Sequence, residues 1–427
     1  MTDVLTEELD IVKGVKALRP AHGGTCFSLV DGRPLFISGA IPGEVVDVQV
    51  RSRRSKVSYG TVAAVVEASE HRRPHVWPEG EAAGIGGVDL GHVSLDYQRV
   101  WKKDVIRDQL ARVGGAQTLE HVLDAVGEEG LTVHPASDGA ALNWRTRVDF
   151  EVSPRRRLAM NVEASSKLVE VESMPLAVES ILDLGLFGES EWSKFFRPGR
   201  KVRVVAPNAG GRRVVVGNQV FNASGRKVSD SAQWQVSARG LREDFSVAAS
   251  GFWQAHKSAP ADLVERVLAA ANVNEGDSVI ELYSGAGLFT KFLGRELGRR
   301  GAIISIEGSK EAVANARENL RDVEVERDLR AGMVNGRSVL RAWSDLGERP
   351  NAIVLDPPRS GAGRDVVKAI GAVRPDRVVL VSCDAAAGAR DIGALLEAGY
   401  RVRSFRALDL FPQTHHVEFV TMLTRTA

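Results

Sequence analysis

From about residue 259 the chain alternates short apolar runs with helix-period segments, and no other feature restricts its fold so strongly. Ser278–Tyr283, Ala302–Glu307, Ala352–Leu355 and Val378–Ser382 offer little that could face water. A strand that is apolar on both faces must be covered on both, as a parallel sheet between two helical layers is. Ala261–Ala271, the segment after Gly287 and Lys310–Leu320 carry helical spacing between those runs. The expected fold of this part is a doubly wound, Rossmann-like α/β sheet, whose ligands bind beyond the carboxyl ends of its strands.

Those ends carry the chemistry. Val279–Gly287 runs from a strand into a turn with Gly285 and Gly287, where the backbone bends sharply and approaches a ligand closely. Glu307 ends the next strand and can accept both hydroxyls of a ribose. The third glycine of a dinucleotide fingerprint is missing and Leu288-Phe289 follow directly, which disfavours a pyrophosphate cradle. Glu281 suits a cofactor with a cationic amino-acid end, such as S-adenosylmethionine (SAM). Asp356 ends a third strand, so three successive strand ends carry acids on one edge. This pattern predicts a SAM-binding methyltransferase domain.

Cys383 follows the strand Val378–Ser382 on the same edge. A thiolate is a soft nucleophile. Methylation at a pyrimidine carbon needs one, because carbon 5 of uracil becomes nucleophilic only after addition at carbon 6. A base must then remove the carbon 5 proton. Glu418, before the final apolar strand Phe419–Leu423, is the candidate. His415 and His416 are its rivals, read instead as hydrogen-bonding residues of the loop, and a zinc reading of them lacks further ligands.

The first seventy residues read as short strands punctuated by Gly, Pro and Asp-Gly, which predicts a small OB-like β-barrel. From Ile11 to His75 ten Lys and Arg face five Asp and Glu, although the whole chain is balanced at 56 to 55. Arg51–Lys56 suits a phosphate backbone or is a solvated hairpin tip; Arg155–Arg157 reads as a charged hairpin tip. Residues 76–91 look like a connector and Tyr97–Val113 like a helix that packs on the catalytic part. Strand-like runs return from Trp144 to about Val247. The expected division is 1–70, a barrel; 71–250, a mostly β central domain; and 251–427, the catalytic domain. Two cysteines, Cys26 and Cys383, exclude a disulfide framework and a four-thiolate site. No signal-peptide pattern and no apolar run of ~20 residues occurs, so the expected setting is the cytoplasm, away from membranes.

Asp356-Pro357-Pro358-Arg359, Ser382-Cys383-Asp384 with Ala389-Arg390-Asp391, and Phe411-Pro412-Gln413-Thr414-His415-His416-Val417-Glu418 together resemble the RNA (uracil-5-)methyltransferase family. Phe252-Trp253-Gln254 resembles its Phe-x-Gln motif, and the front end its RNA-binding TRAM barrel. The resemblance implies an enzyme that makes 5-methyluridine in transfer or ribosomal RNA, and a monomer is expected. It implies Cys383 as nucleophile, Glu418 as base, and Gln254, Tyr283, Glu307 and Asp356 as contacts of cofactor or base. Asp384-Ala385 stands where the family has Asn-Pro, and Leu288 where it has asparagine. An acid beside the thiol raises its pKa. Trp77, Ile85, Val88 and Met174 occupy the positions where relatives hold an iron–sulfur cluster, so no metal is expected. The competing readings are amino-group methylation of a base, which needs no thiol, and an RNA-binding protein without catalysis.

Overall fold

The computed structural model describes residues 10–163 and 165–426. Ile11–Lys16, Arg19–Ala21, Thr25–Val30, Arg33–Ser38, Val45–Arg53 and Ser58–Glu67 form its first sheet. Ile11–Lys16 and Arg19–Ala21 are its opposite edges, yet only Ala17 and Leu18 join them. The sheet must therefore curl until its edges meet, which makes a small barrel. Period-two alternation turns Cys26, Leu35, Ile37, Val46 and Val48 into its buried interior.

A second antiparallel sheet runs in the order Leu168–Glu170, Leu158–Asn161, Arg147–Val152, Lys201–Val205, Arg213–Val216, Gln219–Asn222. Its core gathers Trp77, Val88 and Met174 into one apolar cluster, with Ile85 packed against it. Residues 77–88 thus meet the distant Met174 in a single hydrophobic core. Arg155 and Arg157 lie in a hairpin turn and pair with Glu170, Arg157 also with Glu189. The expected connector contains the short helix Pro78–Ala82.

The third sheet has eight strands, in the order Glu326–Ala331, Ala302–Glu307, Ser278–Leu282, Ala352–Leu355, Arg377–Ser382, Glu418–Arg425, Tyr400–Asp409, Val133–Pro135. The first five are parallel, and Glu418–Arg425 is antiparallel to both neighbours. Alternating residues feed two cores. Ile280, Leu282, Ile353, Leu355 and Leu380 fill one, and Val279, Ile303, Val354, Val379 and Val381 the other. Strand order reverses between Ser278–Leu282 and Ala352–Leu355, the place where such sheets bind ligands.

Packing cuts across the expected division at residue 250. The hairpin Ala232–Ala238/Leu241–Val247 buries Trp234 and Phe245 in the same core as the catalytic sheet. Helix Leu95–Arg112 lies on the other face, where the fully buried Lys102 meets Asp409 at 2.5 Å and the Phe411 carbonyl at 2.9 Å. Among the described residues no helix is long and apolar enough to cross a membrane.

Candidate active site

Register brings two of the expected reacting groups together. Ser382 pairs with Phe419 across the antiparallel ladder, so Cys383, one residue on, stands opposite Glu418, one residue back. Leu355 pairs with Leu380 in the neighbouring strand, which sets Asp356 at the same sheet edge. Glu418 is buried and Cys383 partly so. Burial first, then the nearby Asp356 charge, raise the Glu418 carboxyl well above the usual carboxylate range. Burial alone takes Asp356 up to about 7. The Cys383 thiol is pushed up to about 12 by burial and by Glu418, Asp356 and Asp384, with Arg359 acting the other way. Arg359 is therefore the cation of this carboxyl-rich edge, and sequence reasoning left it without a role.

The loop before Glu418 is held from outside the catalytic segment. Gln413 adopts a left-handed backbone, φ +68°, and Gln98 secures it with two 2.8 Å hydrogen bonds, one to its side chain and one from its N–H. His415 meets Asp89 at 2.6 Å, and Arg359 donates to His416 at 3.1 Å. Burial and neighbouring cations lower His416 to about 3, so it is the neutral acceptor. Both histidines thus have hydrogen-bonding partners. Arg390 donates to the Ser360 carbonyl and Asp391 accepts from the Ala362 N–H, each at 2.6 Å, fixing the loop behind Asp356.

The glycine turn divides its tasks. A β-carbon on Gly287, at φ +87°, would meet Leu320 Cδ1 at 2.8 Å, so this glycine serves helix packing. One on Gly285, at φ +55°, would meet nothing within 4 Å, which leaves its backbone facing open space. Tyr283 leaves the strand at φ +62°, a costly conformation for a bulky residue. Its hydroxyl donates to the Ala362 carbonyl at 3.4 Å and its ring packs on the core. Glu307 accepts from the Gly285 and Ser309 N–H groups at 3.0 and 2.7 Å, which stretches it between turn and strand end while leaving lone pairs on both oxygens.

Glu281 is 1% exposed, and neither carboxylate oxygen has a hydrogen-bond partner. Burial takes its carboxyl up to about 8; the Thr290 hydroxyl and N–H, close by but outside hydrogen-bonding geometry, act the other way, and Asp356 and Glu307 add to the shift. A buried acid without a partner calls for a cationic ligand. Leu288 is core, and Asn319 from the next helix donates instead to the Ala286 carbonyl at 2.9 Å. Asn335, after strand Glu326–Ala331, caps the helix Gly336–Leu346. Gln254 is half-buried, beside a Phe252 ring that is 69% exposed and lies 5.8 Å from the Arg147 guanidinium. Among the described residues no group of three or more His, Cys, Asp or Glu side chains could hold a metal ion.

The family model described as tRNA (uracil-5-)-methyltransferase matches residues 232–426, a span that begins at the hairpin sharing the catalytic core. An uncharacterized RNA methyltransferase of Bifidobacterium longum is 36% identical over 96% of both chains. One of Streptomyces avermitilis is 33% identical, over 95% of this chain and 96% of its own. Among solved structures, a Pyrococcus abyssi tRNA (uracil-54, C5)-methyltransferase in complex with S-adenosyl-L-homocysteine aligns with 96% of this chain and 99% of its own. Its TM-score of 0.64 at 19% identity shows a shared fold.

Proposed function

This chain belongs to the RNA (uracil-5-)methyltransferase family, a family of SAM-dependent transferases, and from that premise we propose that it methylates carbon 5 of a uridine in structured transfer or ribosomal RNA through a covalent adduct on Cys383. The observation that carries the mechanism is the register that sets Cys383 against Glu418 at the ligand-binding edge.

The residues present fit SAM. The unpartnered Glu281 suits its ammonium, Glu307 its ribose, and the open Gly285 turn a close approach. Tyr283, Asp356 and Gln254 complete the proposed contacts. When bound, SAM supplies an electrophilic methyl group. The chain supplies the rest. The Cys383 thiolate adds to carbon 6, and the electrons moved to carbon 5 make that carbon the nucleophile. After methylation the Glu418 carboxylate takes the carbon 5 proton, the carbon 5–carbon 6 double bond reforms, and the thiolate leaves. A raised pKa makes Glu418 a stronger base than an exposed carboxylate. Because the Asp356 charge adds to the burial that raises Glu418, the two titrate as a pair, and Arg359 offsets their charge as the thiolate forms. The target base must leave its stack to meet both thiol and methyl.

The barrel supports an RNA substrate. Phe27, Phe36 and Tyr59 are directly opposed on three neighbouring strands, and Arg54 lies over Tyr59. Such a row of rings beside cations suits stacked bases and their phosphates. Arg53 is paired with Asp10.

The test is incubation of the purified chain with SAM and, separately, unmodified transfer RNA and ribosomal RNA transcripts, followed by nucleoside analysis. 5-Methyluridine in either RNA is expected, and loss of it in Cys383→Ala. Methylated amino groups without 5-methyluridine, or transfer surviving Cys383→Ala, would overturn the proposal.

A further inference from the structure

The barrel reaches the residue next to the nucleophile. His22, in the turn between Arg19–Ala21 and Thr25–Val30, places Nε2 2.9 Å from Asp384 Oδ2. The other oxygen of that carboxylate accepts from the Ala387 N–H at 2.8 Å and caps helix Ala385–Glu397. Asp384 is therefore fixed at one end to the catalytic domain and at the other to a residue 362 positions away. The same barrel turn touches the active-site rim a second time: a β-carbon on Gly24 would meet His415 Cβ at 3.1 Å.

Charge gives this contact its meaning. Glu418 from the last strand, Asp356 and Arg359 from the loop after Ala352–Leu355, and Asp384 all act on Cys383. Three carboxylates against one guanidinium oppose a thiolate. Asp384 is the charged group that faces His22, and the pair holds the imidazole up and the carboxyl down, the latter to about 2 in spite of burial. The ion pair is neutral while His22 is protonated and carries one negative charge once it is not.

We infer that His22 is a positioning residue for the nucleophile: it fixes Asp384 and compensates its charge, so that the Cys383 thiolate forms readily only with the barrel docked. This rests on Cys383 being the reacting thiol. The arrangement is specific to a chain with aspartate after the cysteine, since an asparagine would cap the helix without presenting a charge.

The experiment follows alkylation of Cys383 by iodoacetamide against pH in the full chain, resolved by peptide mass spectrometry, with the buried Cys26 as internal blank. His22→Ala is expected to slow alkylation about three- to tenfold below pH 6.5, where the parent imidazole is protonated, which displaces that limb of the profile by half to one pH unit to higher pH. His22→Lys, a cation that does not titrate in this range, should restore the rate. Asp384→Asn should react faster than the parent, and adding His22→Ala to it should change nothing. No RNA enters this readout, so a parent chain that makes no 5-methyluridine would overturn the functional proposal and leave this inference standing. An unshifted profile in His22→Ala, or an equal slowing in the Asp384→Asn background, would overturn it.

Discussion

Lys102→Met removes the ammonium that joins helix Leu95–Arg112 to the end of strand Tyr400–Asp409. Lys102 and Asp409 are 1% exposed each, and burial lowers the lysine pKa even against its partner. The pair is therefore a constraint on geometry more than a source of stability. Removing one member is another matter. An uncompensated buried charge costs about 3–5 kcal/mol, and the Phe411 carbonyl loses its donor for about 1 kcal/mol more. Arg99 Nε, 3.9 Å from Asp409 Oδ2, offsets part of this. A net loss of about 3–4 kcal/mol is expected from those terms. Equilibrium urea unfolding followed by tryptophan fluorescence measures it, Trp101 lying in the same helix. Lys102→Met with Asp409→Asn should recover at least half the loss. Methyl transfer should fall in the single variant while SAM affinity holds, because the loop from Phe411 to Glu418 hangs on this clamp. A loss below about 1 kcal/mol, or additive losses in the double variant, would refute the reasoning.

Glu281→Gln should weaken SAM binding at least about tenfold by calorimetry, an ionic contact being lost, while stabilising the SAM-free protein. The sign follows from a carboxyl held at about 8 in the fold: its contribution is fully present below its unfolded pKa, about 4.3, and is lost as pH rises through 8. SAM-free stability should therefore decline across that window by a few kcal/mol and flatten in the variant. Gly287→Ala, forced against Leu320 in a left-handed turn, should cost about 1–3 kcal/mol by thermal unfolding. Gly285→Ala should cost only about 1 kcal/mol of stability yet lose SAM affinity, as its methyl enters the open side of the turn. Arg155→Ala with Arg157→Ala should change RNA affinity less than twofold by filter binding, since both arginines face Glu170.

The catalytic sheet was legible where its strands are buried on both faces. Ser278–Leu282, Ala302–Glu307 and Ala352–Leu355 announce themselves by mainly apolar runs, and acids stand at or near their carboxyl ends. Two strands gave no such signal. Tyr400–Asp409 alternates Arg401, Arg403 and Arg406 with apolar residues, and Glu326–Ala331 is a charged edge strand. Their identity comes from pairing partners rather than from local pattern. The proposed reacting residues were readable because each adjoins an apolar strand, Cys383 after one and Glu418 at the start of another. Arg359, Gln98, Asp89 and His22 were not. Each acts through a contact far along the chain, and a single hydrogen bond from a loop leaves no periodic trace. The concern that Asp384 would burden the thiol holds in direction, and the pairing with His22 qualifies it.

The central claim is a covalent bond between Cys383 and the target base. RNA carrying 5-fluorouridine tests it, because fluorine at carbon 5 cannot leave as a proton does. With SAM present, the parent chain should form a stable protein–RNA adduct on denaturing gels, mapped by mass spectrometry to Cys383 and missing in Cys383→Ala. Glu418→Gln should trap the same adduct on ordinary RNA. Continued transfer to uridine with no adduct on fluorinated RNA, or an adduct mapping elsewhere, would contradict the account.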